Sequence, residues 1–281
     1  MSLAFPIPRI AASRLLLIAA AGLVLAGCVS TSTTRTVNDS PSSARPEPEI
    51  VTASDESPGR KRARIRLELA MGYFEQNKNT VALDEIKQAL AADPDYAAAY
   101  NLRGLVYMRL DDPGLAEDSF RRAIALNPRD GNAMHNYGWL LCQQKRYGDA
   151  AQQFARAIES PGYTDRPKTL MTQGVCQMQA GQKAEAEKSL TQAYELDAGN
   201  PVIGYNLALL LSQRQDWARA QFYIRRVNNS QAANAESLWL GVKVERQLNN
   251  RDAVASLGGQ LQRRFPQSKE ALAYERGNFN D

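Results

Sequence analysis

Small apolar residues recur along most of this chain at a nearly constant spacing. Alanines stand at Ala82, Ala116, Ala150, Ala186, Ala220 and Ala253, separated by 34, 34, 36, 34 and 33 residues. Twelve positions before each lies another small residue: Ala70, Gly104, Gly138, Gly174, Ala208 and Gly241. Four positions after each lies a bulky apolar one: Ile86, Phe120, Phe154, Leu190, Ile224 and Leu257. Within a unit the apolar spacing is helical, and self-similarity at such a period marks a repeat architecture. Each unit predicts two antiparallel helices, A and B, with the small residue of A against the alanine of B where the axes approach closely. The bulky residue one turn later fills the gap against the next unit. Breakers such as "DDPG" and the glycine of "KRYGD" separate the helices, and Pro94 and Pro128 close the first two units, since proline cannot continue a helix.

The pattern resembles the tetratricopeptide repeat. The resemblance implies an all-α fold, a right-handed superhelical solenoid of six helix hairpins at 63–96, 97–130, 131–166, 167–200, 201–233 and 234–267. Two extra residues lengthen the loop "SPGYTDRP" between the third and fourth units. The tail "SKEALAYERGNFND" is expected to begin with a helix that caps the last unit, because a solenoid needs a polar end.

The N-terminus has a different character. Arg9 and Arg14 flank an apolar run of 11 residues, 15–25. That is too short to cross a bilayer, which takes about 20 apolar residues, and has the shape of a signal peptide. It ends in "LAGC", which resembles the bacterial lipobox. The resemblance implies removal of residues 1–27 and acylation of Cys28 as the new N-terminus. Val29 follows where lipoproteins retained at the inner membrane tend to carry Asp, which implies the periplasmic face of the outer membrane. Residues 29–59 contain 16 Ser, Thr or Pro among 31 and no aromatic. Such a stretch cannot bury enough apolar surface to offset its ordering entropy. Residues 28–62 are therefore expected to form a lipidated, disordered tether spanning on the order of 30 Å, and 63–281 the repeat domain.

Charge and composition exclude several functions. The net charge of +4 falls to +2 once Arg9 and Arg14 are removed, which leaves no basic footprint for nucleic acid. The one dense basic cluster, "RKRAR" at 60–64, reads as a solvated helix entrance, with anionic lipid headgroups as the alternative contact. The chain has a single histidine, His135, so no two-histidine metal site exists, and no nucleotide or hydrolase motif is present. No enzyme activity, metal or cofactor is expected. His135 is placed as a polar residue of the concave groove. Cys142 and Cys176 lie 34 residues apart in the first helices of adjacent units. Packed helices run about 8–10 Å apart, within reach of a bridge, and the compartment is oxidising, so a disulfide is expected.

What remains is a binding scaffold. In repeats of this kind the A helices line the concave face. The positions that resemblance assigns there include Leu67, Met71, Phe74, Leu102, Leu105, Met108 and Trp139, with Asn101 and Asn136 among them. An apolar set of that size marks a protein-binding groove. The repeat clamp that takes acidic C-termini needs Lys and Asn at the fifth and ninth positions of the first unit, where this chain has Leu67 and Met71.

Lipobox, tether and six repeats together resemble the family of type IV pilus biogenesis and stability lipoproteins, the PilW/PilF pilotins of the pilus secretin. The third unit, "HNYGWLLCQQKRYGDAAQQFARAI", and the ending "RRFPQSKEALAYERGNFND" carry the resemblance. It implies a lipid-anchored adaptor, monomeric before it binds, that brings the secretin to the outer membrane and promotes its assembly into a multimer. The alternative is a lipid-anchored repeat adaptor for outer-membrane protein assembly or for peptidoglycan enzymes.

Overall fold

The computed structural model describes residues 55–279. Cys28 and most of the predicted tether lie outside them. Among the described residues there are thirteen α-helices and no strand. Twelve form six hairpins: α1 (Pro58–Glu75) with α2 (Asn79–Ala92), α3 (Ala97–Arg109) with α4 (Pro113–Leu126), α5 (Gly131–Gln143) with α6 (Tyr147–Glu159), α7 (Arg166–Gln179) with α8 (Lys183–Leu196), α9 (Pro201–Gln213) with α10 (Trp217–Asn228), and α11 (Ala235–Gln247) with α12 (Arg251–Arg264). The short α13 (Lys269–Glu275) packs on α11 and α12 at the C-terminal end.

The first helix corrects the predicted tether. It starts at Pro58, five residues before the expected boundary at 63. Ser57 is its N-cap, with Oγ accepting from the Arg60 amide at 3.1 Å, and Pro58 fits the first helical position, where no amide is needed. The Ser-Pro pair that reads compositionally as linker is a helix start.

The turn inside each hairpin rests on one residue in the left-handed region: Asn77, Asp111, Lys145, Gly181, Gln215 and Asn249, with φ between 57° and 76°. Each closes its A helix as the first residue beyond the C-cap, and the next amide bonds back five residues, as Lys78 N does to Tyr73 O at 2.9 Å. Gly148 of "KRYGD", expected as a breaker, lies instead in the first turn of α6, and Lys145 makes the turn.

Close packing explains the small residues. A Cβ on Gly138 would lie 2.8 Å from the Phe154 ring, and one on Gly104 2.5 Å from Phe120. The bulky residue of helix B thus fills the gap in its own hairpin, over the small residue of helix A. It reaches the next unit as well, as Phe120 does toward Tyr137 with ring centroids 6.4 Å apart. The longer loop between units three and four is held by Tyr163, whose ring covers Gly131 and whose hydroxyl meets Thr169 Oγ1 at 2.7 Å.

Each B helix packs on the A helix that follows, and successive A helices touch one another. Among the described residues the backbones of successive B helices stay farther apart, and these helices meet only through side chains, as α8 and α10 do at Tyr194 and Tyr223, ring centroids 5.0 Å apart. The A helices therefore form the inner wall. Half-buried polar clamps tie the seams. Between units two and three, Tyr137 and Arg146 both donate to Glu117, at 2.8 and 2.9 Å. Burial raises the Glu117 carboxyl, but those hydrogen bonds and the Arg121 charge outweigh it and hold its pKa low.

Candidate functional site

The inner wall of the first three units is built by α1, α3 and α5. The structure divides the residues assigned to it. Leu67 and Leu102, each 7% exposed, belong to the core that also contains Ile86 and Val106, so they are not groove residues. Met71 is 48% exposed. Phe74, Leu105, Met108 and Trp139 are half-buried, resting on the core with an outer edge open. Asn136 Nδ2 donates to Asn101 Oδ1 at 3.0 Å, a polar bridge between units two and three beside that apolar strip. Arg109 lies over the Phe74 ring, 3.5 Å from its centroid, and donates to Asn77 Oδ1 at 3.2 Å.

His135 is not in the groove. It is 6% exposed, its Nδ1 lies 2.9 Å from Thr169 Oγ1, and its ring is tilted against Phe154. Burial, with a smaller push from Lys168, lowers its pKa to about 4 against a weaker pull from Asp165. It is a neutral imidazole in the seam between units three and four. The same seam carries a disulfide between Cys142 and Cys176, with Cα atoms 5.9 Å apart. Among the described residues no group of three or more His, Cys, Asp or Glu side chains is placed to hold a metal ion, and no helix is long and apolar enough to cross a membrane.

A second concavity lies at the other end of the inner wall. A cleft of about 290 Å³ is lined by Tyr205, Leu209, Trp239 and Ala273, with Glu236, Lys243, Lys269 and Glu270 among its polar lining. Burial and the nearby carboxylates of Glu236 and Glu270 raise the Tyr205 hydroxyl. Tyr205, Leu209 and Trp239 stand on the A helices of units five and six, and α13 adds the remaining wall, whose position depends on the end of the solenoid.

Tetratricopeptide-repeat models match residues 67–130, 104–164 and 167–200. The type IV pilus assembly protein PilF of Pseudomonas aeruginosa is 30% identical over 231 residues, covering 80% of this chain and 92% of PilF. A solved structure of Pseudomonas aeruginosa PilF superposes with a TM-score of 0.70 at 27% identity, covering 79% of this chain and 100% of that one. The crystal structure of PilW, described as a widely conserved type IV pilus biogenesis factor, gives 0.69 at 28% identity, covering 75% and 97%. Matched in sequence and in structure over most of both chains, this protein belongs to the PilF/PilW family of tetratricopeptide-repeat proteins of type IV pilus biogenesis.

Proposed function

We propose that the protein is a non-catalytic, lipid-anchored scaffold of the outer membrane. It binds the pilus secretin and promotes the secretin's localisation and multimer assembly, on which pilus biogenesis and twitching motility depend. The observation that carries this reading is the apolar strip Met71, Phe74, Leu105, Met108 and Trp139 along the inner wall of a PilF/PilW-family chain. A partner helix could lay its apolar face along such a strip. Burying a large apolar side chain contributes about 1.5–3 kcal/mol, so three anchors supply most of the roughly 8 kcal/mol of a micromolar complex. Anchoring rests on "LAGC" and on Val29 after it.

Because Leu67 and Leu102 are core, the test uses exposed Met71 and half-buried Met108. Met71→Asp with Met108→Asp in the lipidated chain is expected to abolish co-purification of the secretin and its detergent-resistant multimers, with helical circular dichroism unchanged. Secretin capture at the wild-type level by that folded variant would rule out this strip as the interface. For the anchor, labelled palmitate is expected to enter the wild type and not Cys28→Ala; equal labelling would remove the lipid from the account.

A further inference from the structure

In units three and five the third, seventh and tenth residues of the A helix are buried toward the unit before. In unit three these are Ala133, Tyr137 and Leu140, and in unit five Ile203, Leu207 and Leu210, all buried. Tyr137 clusters with Ala116 and Phe120 of α4, and Leu207 with Ala186 and Leu190 of α8. Unit one has Ile65, Leu69 and Gly72 in that register, and among the described residues no helix precedes it. Ile65 is 46% and Leu69 45% exposed, and a Cβ on Gly72 would meet nothing within 4 Å. Among the described residues the start of the solenoid is therefore an uncapped apolar ridge.

Its charge is equally one-sided. Of the basic residues that open α1, Arg60 pairs with Asp93, Arg64 with Glu56 and Glu68, and Arg66 with Glu85. Lys61 and Arg62 are exposed and make no ion pair among the described residues. They stand four and three positions before Ile65, on the face that carries Ile65 and Leu69.

We propose that this end of the domain is a docking face for an anionic phospholipid surface, with Ile65 and Leu69 entering the headgroup layer and Lys61 and Arg62 among the phosphates. Apolar residues beside lysine and arginine on one helix are the chemistry of interfacial binding. The face suits a planar surface better than a partner helix, because Lys61, Arg62, Ile65 and Leu69 all stand on α1, a ridge one helix wide. The chain also enters the domain here: only 26 residues separate Cys28 from Asp55. Two apolar and two basic side chains hold a free protein weakly, but a short tether converts the contact into an intramolecular one at roughly millimolar effective concentration. The proposal in this form rests on the acylation of Cys28 put forward above.

The test has two arms. In the first, the lipidated chain carrying Ile65→Trp is reconstituted into vesicles of brominated-chain phosphatidylglycerol or of brominated phosphatidylcholine alone. Fluorescence added over that of Trp139, Trp217 and Trp239 is expected to be quenched in the anionic vesicles and released by high salt. In the second, the Cys28→Ala chain without residues 1–27 is sedimented with phosphatidylglycerol vesicles, so this arm reads the face even if Cys28 is never acylated. Lys61→Gln with Arg62→Gln is expected to lower its partitioning about 25-fold, about fivefold per basic residue. Absence of quenching in anionic vesicles, or partitioning unchanged by the double variant, overturns the proposal. So does loss of secretin capture by Ile65→Ser with Leu69→Ser while quenching of a Lys61→Trp probe persists, since the ridge would then serve a protein. Both residues are half-exposed, and an unchanged melting temperature verifies the fold of each variant.

Discussion

The buried imidazole of His135 makes the stability of the third and fourth units sensitive to mild acid. Its pKa is about 4 in the folded protein against 6.5 as the ordinary value. The folded state thus binds this proton less readily than the unfolded chain does, and protonation favours unfolding. The stability His135 permits is complete above pH 6.5, declines as pH falls below that value, and stops declining below about pH 4. The two pKa values give a loss of about 2 kcal/mol at pH 5 and about 3 kcal/mol at full protonation, at 1.36 kcal/mol per pKa unit. At 6% exposure little solvent screening reduces these figures. The perturbation is His135→Gln, which retains an amide that can bond to Thr169 and cannot titrate. Urea unfolding at pH 7.5 and pH 5 gives the free energies, and amide exchange in α5 and α7 locates the change, since solenoid units can open separately. The variant is expected to be less stable than wild type at neutral pH through lost packing, yet to lose about 2 kcal/mol less between the two pH values. Acidic groups such as Glu117 and Glu245 are common to both proteins and cancel in the difference. Parallel pH dependences for the two proteins would refute the reasoning and mean that His135 is not desolvated in solution.

Three further outcomes follow from the packing. Reducing the Cys142–Cys176 bridge, or replacing both with serine, opens a 34-residue loop and is expected to cost about 3–4 kcal/mol by the loop-entropy model, read as a urea midpoint below that of the bridged wild type. Glu245 is buried beneath Arg225, Gln221 and Asn250; burial pushes its carboxyl up, but their hydrogen bonds hold its pKa low. Glu245→Ala removes the shared acceptor of Gln221 and Asn250 while half-exposed Arg225 turns to water, and is expected to cost about 1–3 kcal/mol, with amide protection falling first in α10 and α11. Lys145 holds φ at 60° in an exposed turn, and Lys145→Gly is expected to raise stability by about 0.5–1 kcal/mol, where a fall would mean that the Lys145 side chain is engaged in a way its exposure does not indicate.

The repeat period was legible because it records close contact: a side chain on Gly104 or Gly138 would collide with a phenylalanine, so small residues return at one register. Which side of the A helix faces the core was less legible. The fifth and sixth positions lie at the edge of the buried stripe, where each turn of 3.6 residues moves a side chain across the boundary. Leu67 and His135 at the fifth position fall inside it, Asn101 at the same position remains half-covered, and Leu102 at the sixth is buried. Identity alone does not decide, since a histidine is buried once Thr169 supplies a partner. The turns misled differently. Glycine is the residue with a free choice of φ, so Gly148 drew the breaker assignment, but the hairpin sets the left-handed residue by position, and Lys145 accepts it. The Ser57–Pro58 start was hidden by the composition of its surroundings.

The two ends of the solenoid are unequal, and the difference bears on how the protein works. At the C-terminal end α13 takes the place of a next A helix. Tyr274 covers Gly258, where no side chain would fit. Gly277, at φ 66°, turns the chain so that the Asn278 amide reaches Ala273 O at 2.9 Å, and Phe279 then stacks on Trp239 at 5.4 Å beneath Arg246. That end is closed with the chain's own aromatic residues. The first unit has the opposite construction, since Ile65 and Leu69 occupy a register that elsewhere is covered by a neighbouring unit. A chain able to seal one end could seal the other with two polar substitutions on α1, and leaving apolar residues beside Lys61 and Arg62 costs solubility that a polar cap would retain. The open end is also where the sequence leads back to Cys28. A surface contact there would fix the direction in which the inner wall of the first three units faces and turn a loosely tethered scaffold into an oriented one.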